Sequence, residues 1–179
     1  MLGVAHRAEP SGVDESALSG EGPRDQVLRL ARAKAEAAAS RAAGDLLVVG
    51  ADTLVVLGGR VLGQPRDPAE AASMLRELAG RTHAVLTGLC LLRPCWPPAA
   101  GCAESRVTFH PMTAREIAWY VGTGEPLDKA GAYAAQGVGA AFLAAIEGSF
   151  HNVVGFPVDL FARLLPQVGL GLSQLRAND

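Results

Sequence analysis

The sequence predicts an α/β fold with a mixed sheet. Two observations carry this. Helix-period and strand-like segments alternate along the chain, and at least one pair of strands is joined by a two-glycine turn, so neighbouring strands run antiparallel in places. The length, 179 residues, suits one domain, with two lobes within reach, and a chain of that size buries roughly 70% of its unfolded surface without a disulfide or metal staple.

Taken in order, residues 2–9 read as a short strand and 10–22 as a polar loop. Pro23 suits a first helical position. Val27, Leu28, Leu30, Ala31, Ala35 and Ala38 then recur with helical spacing to about Ala43. Leu46–Val49 is an apolar run short enough for a buried strand. Thr53–Leu57 and Arg60–Leu62 flank Gly58-Gly59 as a hairpin. Asp67, Pro68 and Glu70 form a capping box that opens a helix to about Ala79, stopped by Gly80. Thr82–Leu92 is rich in strand formers, 94–101 is a loop, and Cys102–Phe109 is another strand. Thr113 and Glu116 cap a helix reaching about Val121. Further strand character appears near Ala140–Ala144, and a last helix spans 153–165, its regular part beginning at Pro157.

Composition excludes several classes. The chain has 16 basic and 18 acidic residues, a net charge of −2, which is no electrostatic footprint for duplex nucleic acid or an anionic membrane. A small anion needs only a local basic pocket. The hydrophobic fraction of 49% argues for a packed core and against disorder. Cys90, Cys95 and Cys102 are odd in number and lack C-x-x-C spacing, so reduced thiols are expected, with a Cys95–Cys102 bridge as the other option. No secretory signal and no membrane-spanning run is visible, and the expected compartment is the cytoplasm. Neither a P-loop nor a G-x-S-x-G elbow occurs. His6, His83, His110 and His151 lack metal-ligand spacing and read as surface or turn histidines.

The segment 124–157, GEPLDKAGAYAAQGVGAAFLAAIEGSFHNVVGFP, is polar and glycine-punctuated. Gly131, Gly137 and Gly139 permit close approach or positive φ, beside the cation of Lys129 and the amide of Gln136. That combination suits a phosphate and a base, and equally a well-made loop. Upstream, LLVVGADTLVVLGGRVLGQPRD places Asp52 and Thr53 where a buried strand ends, followed by a G-x-P-x-D turn. From position alone Asp52 is as readily a turn or capping aspartate, Asp67 a helix cap, and Lys34 an exposed helix lysine. Asn152 reads as a helix N-cap, Asp14 as a solvated neighbour of Glu15, and Arg32 and Arg81 as surface charges.

The ordered set G-A-D-T, G-x-P-x-D, D-K-A-G-A-Y-x-x-Q-G and I-x-G-S-x-x-N-V-V-G-x-P resembles the Maf family of nucleoside triphosphate pyrophosphatases, from about Val13 to about Leu165. The resemblance implies a twisted, mostly antiparallel sheet flanked by helices, with two lobes and a central cleft. It implies hydrolysis of the α–β phosphate bond of a nucleoside triphosphate to a monophosphate and pyrophosphate. Asp52 takes the place of the proton-accepting aspartate. Glu15 and Asp67 join Asp52 as carboxylates for a divalent cation, Mg²⁺ with Mn²⁺ as the alternative. Lys34 and Lys129 take phosphate-contacting places. Thr53 and Gln136 match the subgroup acting on dTTP and UTP, where an amide can pair with a pyrimidine edge. A homodimer is a family-level expectation.

Two departures accompany the resemblance. The S-x-S-P-R-R segment with which such proteins open has no counterpart here, so the expectation is one Maf-like domain over 1–179, shortened at its N-terminus. The lysine of the G-K-P turn is Gln64. These departures support the alternative of a non-catalytic nucleotide binder or a regulator of septum formation and cell-division arrest; the joint presence of Asp52, Glu15, Lys34 and Lys129 opposes it.

Overall fold

The computed structural model describes residues 3–175. Pro23 opens α1 (Pro23–Ala39), which buries Gln26, Val27, Leu30, Ala31 and Ala35, the face that the helical spacing marks out. The helix ends before the expected Ala43. Ser40 turns its hydroxyl onto the Ala37 carbonyl at 2.8 Å, and Gly44 adopts φ +85°. The strand expected over residues 2–9 does not form: residues 3–9 have no regular structure, and Leu2 lies outside the described residues. A strand needs a ladder partner, and the five-stranded sheet contains none of this segment.

The two short strands expected around Asp52 are one, β1 (Val48–Leu57). Gly50, Asp52 and Leu54 form its buried alternation, as period-2 geometry requires. Asp52 therefore lies within a strand, not at its end. The antiparallel partner β2 (Arg60–Leu62) sets Val55 opposite Leu62 and Leu57 opposite Arg60. Gly58 and Gly59 both take positive φ, +57° and +85°, the conformation of a two-residue hairpin turn.

Asp67 caps α2 (Pro68–Leu78) by accepting from the Glu70 amide at 2.8 Å. The box is only half made, because Glu70 turns its carboxylate to the amide and guanidinium of Arg66. Strand β3 (Thr82–Leu92) has the expected bounds. Strand β4 (Ala99–Phe109) begins three residues before the expected Cys102. The Thr113–Glu116 box is complete at the start of α3 (Ala114–Gly122). A 3-10 turn occupies Val138–Phe142, which moves the last strand, β5 (Leu143–Glu147), past the expected 140–144. It pairs antiparallel with β4, Val107 opposite Ile146. The expected final helix is two, α4 (Phe150–Val154) and α5 (Val158–Leu164). Gly155 at φ +106° and Pro157 break the ladder between them.

Among the described residues the strands form one sheet in the order β2-β1-β3-β4-β5, and with helices α1 to α5 the fold is mixed α/β, as predicted. The chain divides into two compact units. One comprises the segment ending at Asp52, Gly88–Cys102 and the segment from Val158; the other comprises Thr53–Thr87 and Ala103–Pro157. In the first, Ala31, Ala35 and Cys90 are fully buried, with Val48 and Leu92 packed against them. In the second, Val55, Leu57, Leu75, Leu78, Val107, Phe109 and Tyr120 belong to one core. His83 lies in that core, not at a surface or turn. Its Nε2 meets the Tyr133 hydroxyl at 2.8 Å, and burial lowers its pKa to about 4. None of the three cysteines forms a disulfide. No helix among the described residues is long and apolar enough to cross a membrane.

Candidate active site

In the first unit, small residues let α1 approach the sheet. A methyl group at Gly50 would overlap the Ala31 carbonyl oxygen and lie 2.6 Å from the Ala35 nitrogen. Lys34 precedes Ala35 on the helix, and Asp52 follows Gly50 on the same side of β1. Lys34 Nζ consequently meets Asp52 Oδ1 at 2.6 Å and Glu15 Oε1 at 2.6 Å. Three predicted site residues, 15, 34 and 52, thus converge from a loop, a helix and a strand. Arg29, which shares α1, is held by Glu21 at 2.6 Å and by the Ser16 carbonyl at 3.0 Å. Asp14 is the solvated neighbour expected, accepting from the amide and hydroxyl of Ser16.

The electrostatics of this cluster are asymmetric. Asp52 is buried, with 7% of its surface exposed. Burial raises its pKa, and the Lys34 ammonium only partly offsets that. Lys34 is desolvated as well, which lowers its pKa, but its bonds to Asp52 and Glu15 more than compensate and hold it above the ordinary value. Asp52 Oδ2 is buried and has no protein partner. A buried carboxylate oxygen without a hydrogen bond is costly, and a water proton or a cation would satisfy it.

That donor set fits a hard divalent cation. Mg²⁺ is commonly held by one or two carboxylates, with substrate phosphates and water completing its shell. Glu15 and Asp52 supply two carboxylates. No group of three or more His, Cys, Asp or Glu arranged to hold a metal occurs among the described residues. Asp67 engages Oδ1 in capping α2.

In the second unit, Gln64 and Lys129 are brought to neighbouring segments. The Gly131 amide donates to the Gly63 carbonyl at 3.0 Å, and Gln64 Nε2 donates to the Asp128 carbonyl at 3.2 Å. Lys129 Nζ pairs with Asp128 at 2.6 Å and remains half-exposed. Thr53 Oγ1 lies 2.9 Å from Thr87 Oγ1, and Thr87 donates to the Asn152 carbonyl at 3.1 Å. Gln136 is exposed.

Two features escape a reading of the sequence. Asn152 is not a helix cap; Ser149 is, accepting from the Asn152 amide. Asn152 is fully buried, and its Nδ2 donates to Val85 O and Ser105 Oγ, both at 2.9 Å. The glycines of the 131–139 stretch serve the protein's own interior. At Gly131 a methyl would press on Val55, at Gly137 on Glu125, and at Gly139 on the Tyr120 hydroxyl. Glu125 lies in the 124–157 segment and Tyr120 in α3 just before it, and neither gave a motif signal.

Comparison with known proteins agrees with the resemblance seen in the sequence. The profile of the Maf-like protein family matches residues 1–168. A protein of Anaeromyxobacter sp. (strain Fw109-5) named dTTP/UTP pyrophosphatase is 51% identical over 176 residues, covering 94% of this chain and 82% of the relative. A namesake in Moorella thermoacetica is 49% identical over 170 residues, 94% of this chain and 87% of that one. Another, in Escherichia coli (strain UTI89), is 47% identical over 159 residues, 88% and 80% of the two chains.

Proposed function

The chain belongs to the Maf family, and on that premise we propose that it is a nucleoside triphosphate pyrophosphatase acting on dTTP and UTP. Water attacks at the α–β phosphoanhydride, the bridging P–O bond breaks, and a nucleoside monophosphate and pyrophosphate leave. The names of relatives about half identical to this chain support the reaction and the substrates. The single structural observation that carries it is the buried Asp52, tied at Oδ1 by Lys34 and unpartnered at Oδ2.

Asp52 is the general base. Lys34 fixes the carboxylate through Oδ1, which leaves Oδ2 to accept the proton of the attacking water. A general base works best with a pKa nearer the working pH than a free carboxylate has, and burial shifts Asp52 in that direction. Lys34 stays charged throughout and, with Lys129, offsets negative charge on the phosphates. Gln64 offers a neutral donor on the segment next to Lys129. Thr53 and Gln136 contact the base, with the amide of Gln136 facing the pyrimidine edge.

The reaction would use a divalent cation, which we assign as Mg²⁺; Asp52 and Glu15 would hold it, and Asp67 is proposed as a further carboxylate. When bound, it would supply charge neutralisation at the phosphate oxygens and help orient them. We place the enzyme in the cytoplasm, where reduced thiols and free nucleotides coexist.

The test is pyrophosphate release from a panel of nucleoside triphosphates, with Mg²⁺ and with EDTA, for the native chain and Asp52→Asn. Cation-dependent release from dTTP or UTP, lost in the variant, is the expected result. Full turnover by Asp52→Asn would overturn the assignment of the base.

A further inference from the structure

Glu125 holds the segment that carries Gln136 from both sides. Its Oε2 accepts from the Val138 amide at 2.9 Å, and its Oε1 accepts from the Gly139 amide at 2.8 Å. Oε1 also accepts from the Tyr120 hydroxyl at 2.7 Å. That hydroxyl in turn accepts from the Ala134 amide at 3.0 Å. Residue 134 is thus pinned through Tyr120, and residues 138 and 139 directly through Glu125. Gln136 is at the centre of this span and is exposed.

The anchor is rigid on its inner side. Tyr120 is completely buried in α3, stacked at a tilt against Phe142 with ring centres 5.3 Å apart. Gly124, at φ +80°, turns the chain so that Glu125 comes back over the Tyr120 hydroxyl. Burial alone would raise the Glu125 pKa, but the bonds from Gly139, Tyr120 and Val138 outweigh it and keep the carboxylate ionised. Hydrogen bonds to an ionised acceptor are roughly twice as strong as neutral ones. Gly137 takes φ +155° where a side chain would strike the Glu125 carboxylate, so the backbone of the span is shaped to this one acceptor.

From this geometry we infer that Glu125, with Tyr120, is a positioning residue for Gln136 and thereby sets the discrimination between pyrimidine and purine nucleotides. The inference rests on the assignment of Gln136 to the nucleotide base. Glu125 touches neither the reacting atoms nor the cation; it acts by holding the 134–139 backbone in one conformation, so that the amide of Gln136 is presented without an ordering cost at binding.

The experiment compares the native chain with Glu125→Gln, Tyr120→Phe and Gln136→Ala. Steady-state kinetics on dTTP, UTP and dGTP are combined with backbone amide exchange over 134–139. Glu125→Gln keeps the shape but turns one acceptor into a donor facing an amide. Tyr120→Phe keeps the packing and removes the hydroxyl, so it serves if the first variant folds poorly. The expected result is a loss of about tenfold in the dTTP-to-dGTP ratio of kcat/KM, the size of one charged hydrogen bond. It appears mainly in KM, matches that of Gln136→Ala, and comes with faster exchange confined to 134–139. If Gln136→Ala loses discrimination while Glu125→Gln and Tyr120→Phe retain it, this inference fails and the role of Gln136 stands. If Gln136→Ala discriminates as the native chain does, the role of Gln136 fails and the inference falls with it.

Discussion

Gly50 of β1 lies directly against the main chain of Ala35 in α1, with no room between them for a methyl group. Gly88 of β3 does the same beneath Val27, where a Cβ would come 2.6 Å from the carbonyl carbon. A helix whose backbone rests on two strands at glycines is closer to the sheet than side-chain packing ordinarily allows. That closeness lets Lys34 reach Asp52 while its stem stays largely buried.

Gly50→Ala is therefore expected to push α1 outward. Overpacking of this kind costs about 1–3 kcal/mol, to be read as a lower urea midpoint at unchanged m-value. Turnover should fall as well, because the Lys34–Asp52 contact lengthens. A variant that is destabilised yet retains native kcat would show that catalysis tolerates that displacement.

The pH dependence follows from Asp52. Its folded pKa lies above the unfolded value of 3.8, so the fold favours the protonated acid. Its ionisation therefore takes stability away as pH rises from 3.8 through the folded pKa. Lys34 is raised as well: desolvation lowers its pKa, but its bonds to Asp52 and Glu15 outweigh that, so its pairing stabilises below 10.5 and is lost as pH rises through its higher folded value. The acid limb of kcat/KM is expected above the ordinary aspartate range. Asp52→Asn should lose about 10²–10⁴-fold in kcat without lowering the melting temperature at pH 7. An acid limb at the ordinary aspartate pKa would show that another group is the base.

Local chemistry made much of the fold legible. Pro23 and the apolar spacing after it, the Asp67 and Thr113 caps, and the Gly58-Gly59 turn all act within a few residues, and each is where the sequence places it. The misjudged elements depend on distant partners. Gly50-Ala51-Asp52 looks like a strand end because small and charged residues interrupt an apolar run; the strand continues because α1 needs the glycine and Lys34 meets the carboxylate. Asn152 resembles a cap until Val85 and Ser105, 67 and 47 residues away, claim its amide. Glu15, Lys34 and Asp52 share no local pattern, so only the ordered family motifs could associate them.

Asn152→Ala should be costly even though no substrate contact is lost. It leaves the Val85 carbonyl and the Ser105 hydroxyl without the donor they share, and a buried unsatisfied group costs about 1–3 kcal/mol. Urea denaturation measures this directly. Thr87→Val is the informative companion. It removes the hydroxyl that meets Thr53 and is expected to change the preference among nucleotides more than the stability. If stability alone changes, the Thr53–Thr87 pair is structural.

Gln64→Lys tests where the phosphates lie. Gln64 donates to the Asp128 carbonyl, one residue before Lys129, so a lysine at 64 would add a second cation beside that segment. Replacing a neutral donor by a charged one at a phosphate is worth about 1.5–3 kcal/mol, or roughly ten- to a hundredfold in rate. The expected outcome is a rise in kcat/KM for dTTP that shrinks with added salt, since the gain is electrostatic and partly exposed. Asp128 could capture the new ammonium with its own carboxylate, as it does that of Lys129, so the substitution is best repeated in an Asp128→Asn background. Unchanged kinetics in both backgrounds would show that the 64 position does not touch the phosphates.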